Sequence, residues 1–204
     1  MSQDEKQLFE FDMWHEFEPQ KTYAASMDIA EGVGQDASVL YIWDVTDLDD
    51  IKMCAKYSDN RTSVVQFAYI ARKMLALYND PPLAGERNGV SAGTMDSLRI
   101  TYGYDNIVRE NKKNEAGIYS HVTVKEKACQ WAKTMTSTRG MSFTIYDKEL
   151  VDEMGIFCKK DTKGKHILYE ALPGPNSHDD HMMAFIWLTY ILNPEIIDKY
   201  FIVC

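Results

Sequence analysis

Acidic residues stand at three places in this sequence where a charge is unfavourable unless it has a partner. Asp28 interrupts the apolar segment 22–31, and Glu86 ends a short apolar run. The adjacent Asp179 and Asp180 precede a stretch that is almost entirely apolar. Burying even a neutral polar group without a partner costs roughly 2–7 kcal/mol, and burying an unpaired carboxylate costs more. Acids kept in such places therefore indicate either pairing or metal binding.

Taken one at a time, these acids have ordinary structural explanations. Asp28 could pair with an arginine, Glu86 could cap a turn, and Asp179 could be a helix N-cap, a position that favours Asp. Taken together, two acids on strands and one at a helix N-terminus can converge at one end of a sheet, where α/β proteins place their ligands. Such a cluster suits two hard divalent cations, Mg²⁺ or Mn²⁺, about 3.5–4 Å apart. One ion would activate a water for attack on a phosphodiester, and the other would stabilise the leaving 3′ oxygen.

The elements that must position these acids begin with a predicted meander. Residues 22–31 form a strand-like run, and residues 37–46 are rich in β-branched and aromatic side chains. Residues 51–58 follow a turn, and the three segments together predict three strands. Their short connections predict antiparallel neighbours. Residues 62–78 carry apolar side chains at helical spacing, and the strand predicted at 83–86 follows that helix. A strand, a helix and a strand in succession indicate a parallel crossover.

The second half of the chain alternates between helical and extended patterns. The predicted elements are a helix over 91–102, a short strand at 106–108, helices over 123–138 and 147–154, a β-hairpin turning at 161–164, and a helix that begins at Asp179 and stops at Asn193-Pro194. The expected fold is an α/β mixed β-sheet, an antiparallel meander plus parallel strands, with helices on both faces. This class alone does not define a function.

Composition and charge narrow the possible classes of protein. The 204 residues fit one ordinary domain, and no apolar run reaches the roughly 18 residues that span a membrane. Four scattered cysteines without a CxxC pair predict reduced thiols rather than disulfides or zinc. The net charge of −9 argues against tight, free-standing DNA binding. Segments 109–113 and 159–165 are locally basic and fit solvated loops as well as DNA contacts.

Three motifs in series resemble the nuclease domains of phage terminase large subunits, most closely those of T-even-type phages. YAASMDIAEGVGQDASVLYIWDV resembles their first motif, an Asp on the first strand before a Gly-x-Gly-x-Asp turn. LAGERNGVSAGTMDSL resembles the second, in which Asn-Gly follows an acid at a strand end. HDDHMMAFIWLTYIL resembles the third, in which paired aspartates open an apolar helix. The likeness covers residues 20–192.

The resemblance implies an RNase H-like fold and assigns roles to individual residues. Asp28, Glu86 and Asp179 would be the catalytic metal ligands, with Asp180 as a further ligand and Asp179 preferred of the two. Asp36 and His178 would be auxiliary residues, and His178 and His181 are interpreted as surface histidines. The candidates for DNA contact are Arg87, Asn88, Lys159, Lys160, Lys163 and Lys165.

The same resemblance implies a Mg²⁺- or Mn²⁺-dependent endodeoxyribonuclease. It would cleave concatemeric viral DNA during genome packaging, by a two-metal-ion mechanism, in the cytoplasm of the infected host. Its partners would be double-stranded DNA, the terminase ATPase motor, the portal and the small terminase subunit, with no membrane. The sequence lacks a GxxxxGK[ST] phosphate-binding loop. We therefore expect residues 22–204 to be a nuclease domain, excised or from a split gene, and residues 1–21 to be a linker or arm from a missing motor.

Three other interpretations of the acids stay open at the level of sequence. Another RNase H-like nuclease, such as a junction resolvase or a ribonuclease H, would share the metal chemistry and differ in substrate. A non-catalytic docking module for a portal or capsid would keep the fold without needing the acids. A generic acidic domain would use its carboxylates for structure alone. Acids retained at all three motifs favour a nuclease.

Overall fold

A central mixed sheet dominates the computed structural model, which describes residues 10–32, 34, 36–110, 113–161, 167–174 and 178–201. In these residues the sheet has six strands: β1 (Asp12–Met13), β2 (Tyr23–Asp28), β3 (Ser38–Asp44), β4 (Asp50–Asp59), β5 (Leu83–Gly85) and β6 (Ser142–Thr144). The strand order is β1-β4-β3-β2-β5, and β6 pairs with β4.

The strand pairing confirms both the meander and the crossover. β2, β3 and β4 are successive antiparallel neighbours. β5 lies parallel to β2, with Met27 opposite Gly85, and the helix α1 (Val64–Leu77) connects the meander to it. β2 and β5 therefore end at the same edge of the sheet, which is the edge that carries Asp28 and Glu86.

The crossover helix α1 has clear start and stop signals in the sequence. Ser63 and Gln66 form a capping box, in which each side chain satisfies a backbone N–H of the other residue. After the helix, Asn79 and Asp80 adopt positive φ angles of 59° and 53°, and Pro81 follows. These residues reverse the chain so that β5 can return alongside β2.

The remaining helices divide between the two faces of the sheet. They are α2 (Ser91–Asp96), which continues as a π-helical turn (Ser97–Thr101), α3 (Val122–Ser137), α4 (Lys148–Ile156) and α5 (Asp180–Ile191). One buried cluster joins α1 and α2 to the face that carries Ala25 and Leu40. A second joins α3, α4 and α5 to the face that carries Ala24 and Trp43. The predicted arrangement of helices on both faces is confirmed.

Helix α5 lies in the interior of the domain. It contacts β2, β3, β5, α3 and α4, which explains why its sequence is apolar on every side rather than along one stripe. In the described part of the chain, no helix combines the length and the apolar character needed to cross a membrane.

Part of the segment predicted to be a linker packs on the domain. β1 pairs with β4, with Asp12 opposite Lys56. The ring of Trp14 stacks on that of Tyr146 at a centroid distance of 5.4 Å. The Tyr78 hydroxyl donates to the His15 carbonyl at 2.5 Å. The packed domain therefore extends further toward the N-terminus than the predicted boundary at residue 22.

Two shorter predictions have mixed outcomes. β7 (Phe157–Asp161) and β8 (Ile167–Ala171) form the predicted hairpin as a separate antiparallel pair. Lys163 and Lys165, predicted to contact DNA, lie outside the described residues. The strand predicted at 106–108 is reduced to a single parallel bridge between Ile107 and Leu83.

Candidate active site

The first acid, Asp28, is the last residue of β2. Side chains alternate along a strand, so Asp28 points to the same face as Ser26 and Ala24. Ala24 belongs to the buried cluster that contains α5, and the Ser26 hydroxyl accepts a hydrogen bond from the Trp43 indole at 3.2 Å. Asp28 therefore lies on the face of the sheet that α5 covers.

The second acid, Glu86, follows β5 directly. A Cβ added to Gly85 would lie 2.8 Å from both Met27 Cγ and Met95 Cε, so only glycine lets β5 pack this closely. Glu86 then makes a parallel bridge to Ile118, which continues the sheet beyond β5. The register of the strand pair thus brings the Asp28 and Glu86 backbones to adjacent positions.

The other predicted acids affect the pKa of Asp28. Burial and then the negative charges of Asp180 and Glu86 raise the pKa of Asp28 well above its usual range. Asp179 adds to the rise, and the ammonium group of Lys125 opposes it. These influences agree with the register of β2 and β5 and with the packing of α5 on both strands, which bring acids from all three motifs to one edge of the sheet.

Glu86 has its own set of partners. Burial raises its pKa, while the charge of Lys125 and hydrogen bonds from Asn88 and Ser120 oppose the rise. The Asn88 amide also donates to the Ser120 carbonyl at 2.8 Å. Asn88, predicted to contact DNA, therefore lies beside a candidate metal ligand and favours its ionised form.

The paired aspartates open α5, as the sequence predicts. Asp179 is the N-cap residue, but its side chain makes no capping hydrogen bond, so the ordinary structural role of an N-cap Asp is not realised. Burial raises the pKa of Asp179. Asp180 is buried, its Oδ2 accepts the backbone N–H of Ala37 at 2.8 Å, and burial raises its pKa to about 6.

Asp36 and His178 flank Asp180 on its solvent side. Both side chains are exposed, and Asp36 Oδ1 lies 3.6 Å from His178 Nδ1. These two residues and Asp180 can bring ligand atoms within 4.8 Å of one another. Their position fits the predicted auxiliary role.

Lys125 is a functional candidate that sequence analysis missed. It lies in the first turn of α3 and lowers the pKa of Asp28, Glu86 and Asp179. It also lines a cleft of about 490 Å³ together with Asp179. The sequence holds no signal for this role, because a lysine near a helix start is ordinarily solvated.

The candidates for DNA contact occupy very different surroundings. Arg87 is buried, and its guanidinium donates to Asp96 at 2.8 and 3.1 Å and to the Ala116 carbonyl at 2.9 Å. This inward position disfavours a DNA contact at Arg87. Lys159 is exposed, whereas Lys160 pairs with Glu170 beside the cleft that Asp179 lines.

His181 is buried, so its interpretation as a surface histidine is wrong. It belongs to a polar network with Tyr41 and Asp147. The next residue, Met182, donates its N–H to Glu153 Oε2 at 2.8 Å, and burial raises the pKa of Glu153 to about 7. The first turn of α5 is thus surrounded by polar partners rather than by solvent.

The donor set fits a hard divalent cation. Asp28, Glu86, Asp179 and Asp180 offer only carboxylate oxygens, the ligands that Mg²⁺ and Mn²⁺ prefer. Burial is the main cause of their raised pKa values, and at Asp28 the charges of Asp180, Glu86 and Asp179 add to it, so a bound cation would favour the ionised carboxylates. Of the four cysteines predicted to be reduced, Cys54, Cys129 and Cys158 are free thiols, and Cys204 lies outside the described residues.

No protein-family model matches this chain, but several solved structures resemble it. The large terminase nuclease of thermophilic phage G20c with bound magnesium superposes with a TM-score of 0.70 at 18% identity, covering 88% of this chain and 86% of that one. The Thermus phage P74-26 large terminase nuclease domain gives 0.66 at 16% identity, covering 88% and 84%. The nuclease domain of the bacteriophage SPP1 large terminase with bound manganese gives 0.54 at 14% identity, covering 85% and 86%.

These likenesses establish the fold. The chain is an RNase H-like α/β domain, and its structural neighbours are large terminase nuclease domains. A match to the T-even type in particular is not among these findings.

Proposed function

We propose that this chain is the metal-dependent nuclease domain of a viral terminase, an endodeoxyribonuclease that cleaves concatemeric DNA during genome packaging. The observation that carries the proposal is the convergence of Asp28, Glu86, Asp179 and Asp180 at one sheet edge, where the charges of the other three raise the pKa of Asp28. Support comes from neighbours of the same fold that bind magnesium, cobalt or manganese.

In this proposal the four carboxylates hold two ions, Mg²⁺ or Mn²⁺. Bound ions of this kind activate a water for in-line attack and stabilise the leaving oxygen. Asn88 and Ser120 orient Glu86, and the Ala37 N–H orients Asp180. Asp36 and His178 stand at the solvent side of Asp180, where they can orient water or phosphate. No side chain is required to form a covalent intermediate.

We propose Asp180 as a ligand of equal standing with Asp179. Three acidic charges raise the pKa of Asp28: the charge of Asp180 has the largest effect, that of Glu86 is second, and that of Asp179 is the smallest. Both helix acids act on Asp28, so either can share an ion with it. We therefore no longer prefer Asp179 to Asp180 as the metal ligand, as the sequence alone did.

The proposed setting is a packaging machine in the cytoplasm of the infected host. DNA would be delivered by the terminase ATPase motor and the portal, with the small terminase subunit as a further partner. Such delivery is compatible with a domain of net charge −9, because the nuclease then need not bind DNA tightly by itself. Nanomolar binding of the isolated chain to short duplexes at physiological salt would contradict this part of the proposal.

Substrate choice tests the proposal against the other RNase H-like nucleases. We expect Mn²⁺-dependent cleavage of plain duplex DNA, with little sequence preference, at rates above those for a four-way junction or an RNA–DNA hybrid of the same sequence. A preference for the junction would favour a resolvase, and a preference for the hybrid would favour a ribonuclease H. A folded chain that neither binds Mn²⁺ nor cuts any substrate would favour a docking module.

A further inference from the structure

A buried polar network lies directly behind the acids at the start of α5. His181 Nδ1 lies 2.7 Å from the Tyr41 hydroxyl and 2.9 Å from Asp147 Oδ2. His181 Nε2 lies 3.2 Å from the Ser58 hydroxyl. The Tyr41 hydroxyl itself donates to Asp147 Oδ2. Both nitrogens of the imidazole ring are therefore occupied, and the ring has one orientation.

The network is fully paired despite its burial. Lys56 Nζ donates to Asp147 Oδ1 at 2.8 Å, and Lys56, Asp147, Tyr41 and His181 are all buried. Burial alone would raise the pKa of Asp147, but hydrogen bonds from His181, Lys56 and Tyr41 hold it well below its usual range. A satisfied buried network of this kind rigidifies its surroundings and selects one arrangement of the elements it joins.

The elements joined here are those that set the position of Asp180. Tyr41 belongs to β3, Asp147 is the N-cap of α4, and His181 belongs to the first turn of α5. Asp180 and Met182, on either side of His181, are held by the Ala37 N–H and by Glu153. Three successive residues of α5 are thus each tied to a different part of the domain.

A metal ion bound by the network itself is the competing interpretation. Asp147, Glu149 and His181 can bring ligand atoms within 4.8 Å of one another. However, the Lys56 ammonium already lies 2.8 Å from Asp147 Oδ1 and 2.6 Å from Glu149 Oε2. A cationic group therefore already occupies the position between these carboxylates, which disfavours a metal ion there.

We propose that His181 is a positioning residue, which with Tyr41 and Asp147 fixes the first turn of α5 so that Asp180 faces Asp28 for metal binding. This inference rests on the proposed function of the four acids. The physical reason is that Asp28 and Asp180 repel each other without a cation, so that an unanchored helix start would move the carboxylates apart. Partners that orient metal ligands commonly affect metal affinity or activity by about 10–100-fold.

The test compares Tyr41→Phe and His181→Asn with the control Ile191→Val. Phenylalanine keeps the ring volume of Tyr41 and removes only its hydroxyl, and asparagine retains an N–H donor toward Asp147. Ile191 is a buried residue near the far end of the same helix, and its truncation lowers stability without touching the network. His181→Phe, which leaves Asp147 without its imidazole partner, is the stronger variant.

Two measurements separate positioning from general destabilisation. Calorimetric titration with Mn²⁺ gives metal affinity, and plasmid cleavage gives kcat and KM. We expect about a 10-fold weaker Mn²⁺ affinity and a lower kcat at unchanged KM for Tyr41→Phe and His181→Phe. His181→Asn should recover part of both losses, and Ile191→Val should match the unsubstituted chain.

The outcomes distinguish the inference from the proposed function. If the unsubstituted chain binds Mn²⁺ and cuts DNA, but the network variants match Ile191→Val in affinity and kcat, the positioning role is overturned and the nuclease stands. If the unsubstituted chain neither binds Mn²⁺ nor cuts DNA, the proposed function fails, and the positioning role fails with it.

Discussion

Met27 in β2 pairs with Gly85 in the parallel strand β5, and the residues that follow them are Asp28 and Glu86. The two acids are far apart in the sequence, yet the register makes them neighbours at the edge where both strands end. Parallel strands connected by a crossover helix share their carboxyl-terminal edge, which is where open α/β sheets bind ligands. Asp179 and Asp180, at the start of α5, complete the site. They lie on the face of the sheet to which the side chains of Ala24 and Asp28 point.

Replacing Asp28 with asparagine should abolish metal-dependent cleavage and raise stability without metal. The amide removes one charge from a group of mutually repelling carboxylates and keeps the side-chain shape. We expect a gain on the order of 1 kcal/mol in the free energy of unfolding at pH 7 in chelator. Thermal denaturation and plasmid cleavage measure the two effects.

Asp198→Asn is the matched control for that substitution. Asp198 is exposed in a short 3₁₀ helix (Ile197–Lys199), so the same chemical change should alter neither stability nor cleavage. Full activity of Asp28→Asn with Mn²⁺ would show that the assignment of the site is wrong.

The metal-free protein should lose stability as the pH rises from about 5 to 7. Burial raises the pKa of Asp180 from 3.8 to about 6 and that of Glu153 from 4.5 to about 7. Within this window the folded state binds more protons than the unfolded state, so deprotonation favours unfolding. Asp147, whose pKa is lowered, affects stability only at more acidic pH.

Melting temperatures in chelator across this pH range measure the effect. Added Mn²⁺ should oppose the loss at pH 7, because the ion binds the ionised carboxylates of the folded state. A metal-free melting temperature that rises between pH 5 and 7 would contradict the account of these carboxylates.

Lys125→Met should lower the stability of the metal-free domain and raise its affinity for Mn²⁺. The lysine offsets the charges of Asp28, Glu86 and Asp179 when no ion is bound, and it opposes an incoming cation. We expect a lower melting temperature in chelator and a several-fold lower Kd for Mn²⁺, as a pairwise charge effect of about 1 kcal/mol implies. Lys127→Met, an exposed lysine of the same helix, is the control, and equal behaviour of the two variants would remove Lys125 from the site.

Neutralising the hairpin lysine Lys159 should lower DNA affinity and flatten its salt dependence. Each phosphate contact that is lost reduces the slope of log K against log salt by roughly 0.9. Lys148→Ala is the comparison, because Lys148 is exposed and pairs with Asp152 within α4. Binding measured by fluorescence anisotropy at several salt concentrations decides between DNA guidance and an ordinary solvated hairpin.

Local pattern predicted most of the fold and the main acids. Strand-like apolar runs marked β2 to β4, helical spacing marked α1, and the Asp-Asp pair marked the start of α5. These features depend on neighbours in the chain, so one sequence suffices to predict them. The candidate ligands followed from acids placed at the ends of such elements.

Long-range partners account for what the sequence did not predict. His181 stands at a helix start, where histidines are usually exposed, and only the packing of β3 and α4 around α5 buries it against Tyr41 and Asp147. Arg87 follows Glu86, which suggested a DNA contact, but the return of α2 brings Asp96 to its guanidinium. No local pattern encodes these contacts between distant segments.

Cleavage of supercoiled plasmid tests the central claim most directly. The unsubstituted chain, Asp28→Asn, Glu86→Gln and the control Asp198→Asn are each incubated with Mg²⁺, Mn²⁺ or chelator. The account predicts nicking and linearisation that require metal, disappear in Asp28→Asn and Glu86→Gln, and persist in Asp198→Asn. Metal-dependent cutting that survives both site substitutions would contradict the claim that these acids form the nuclease centre.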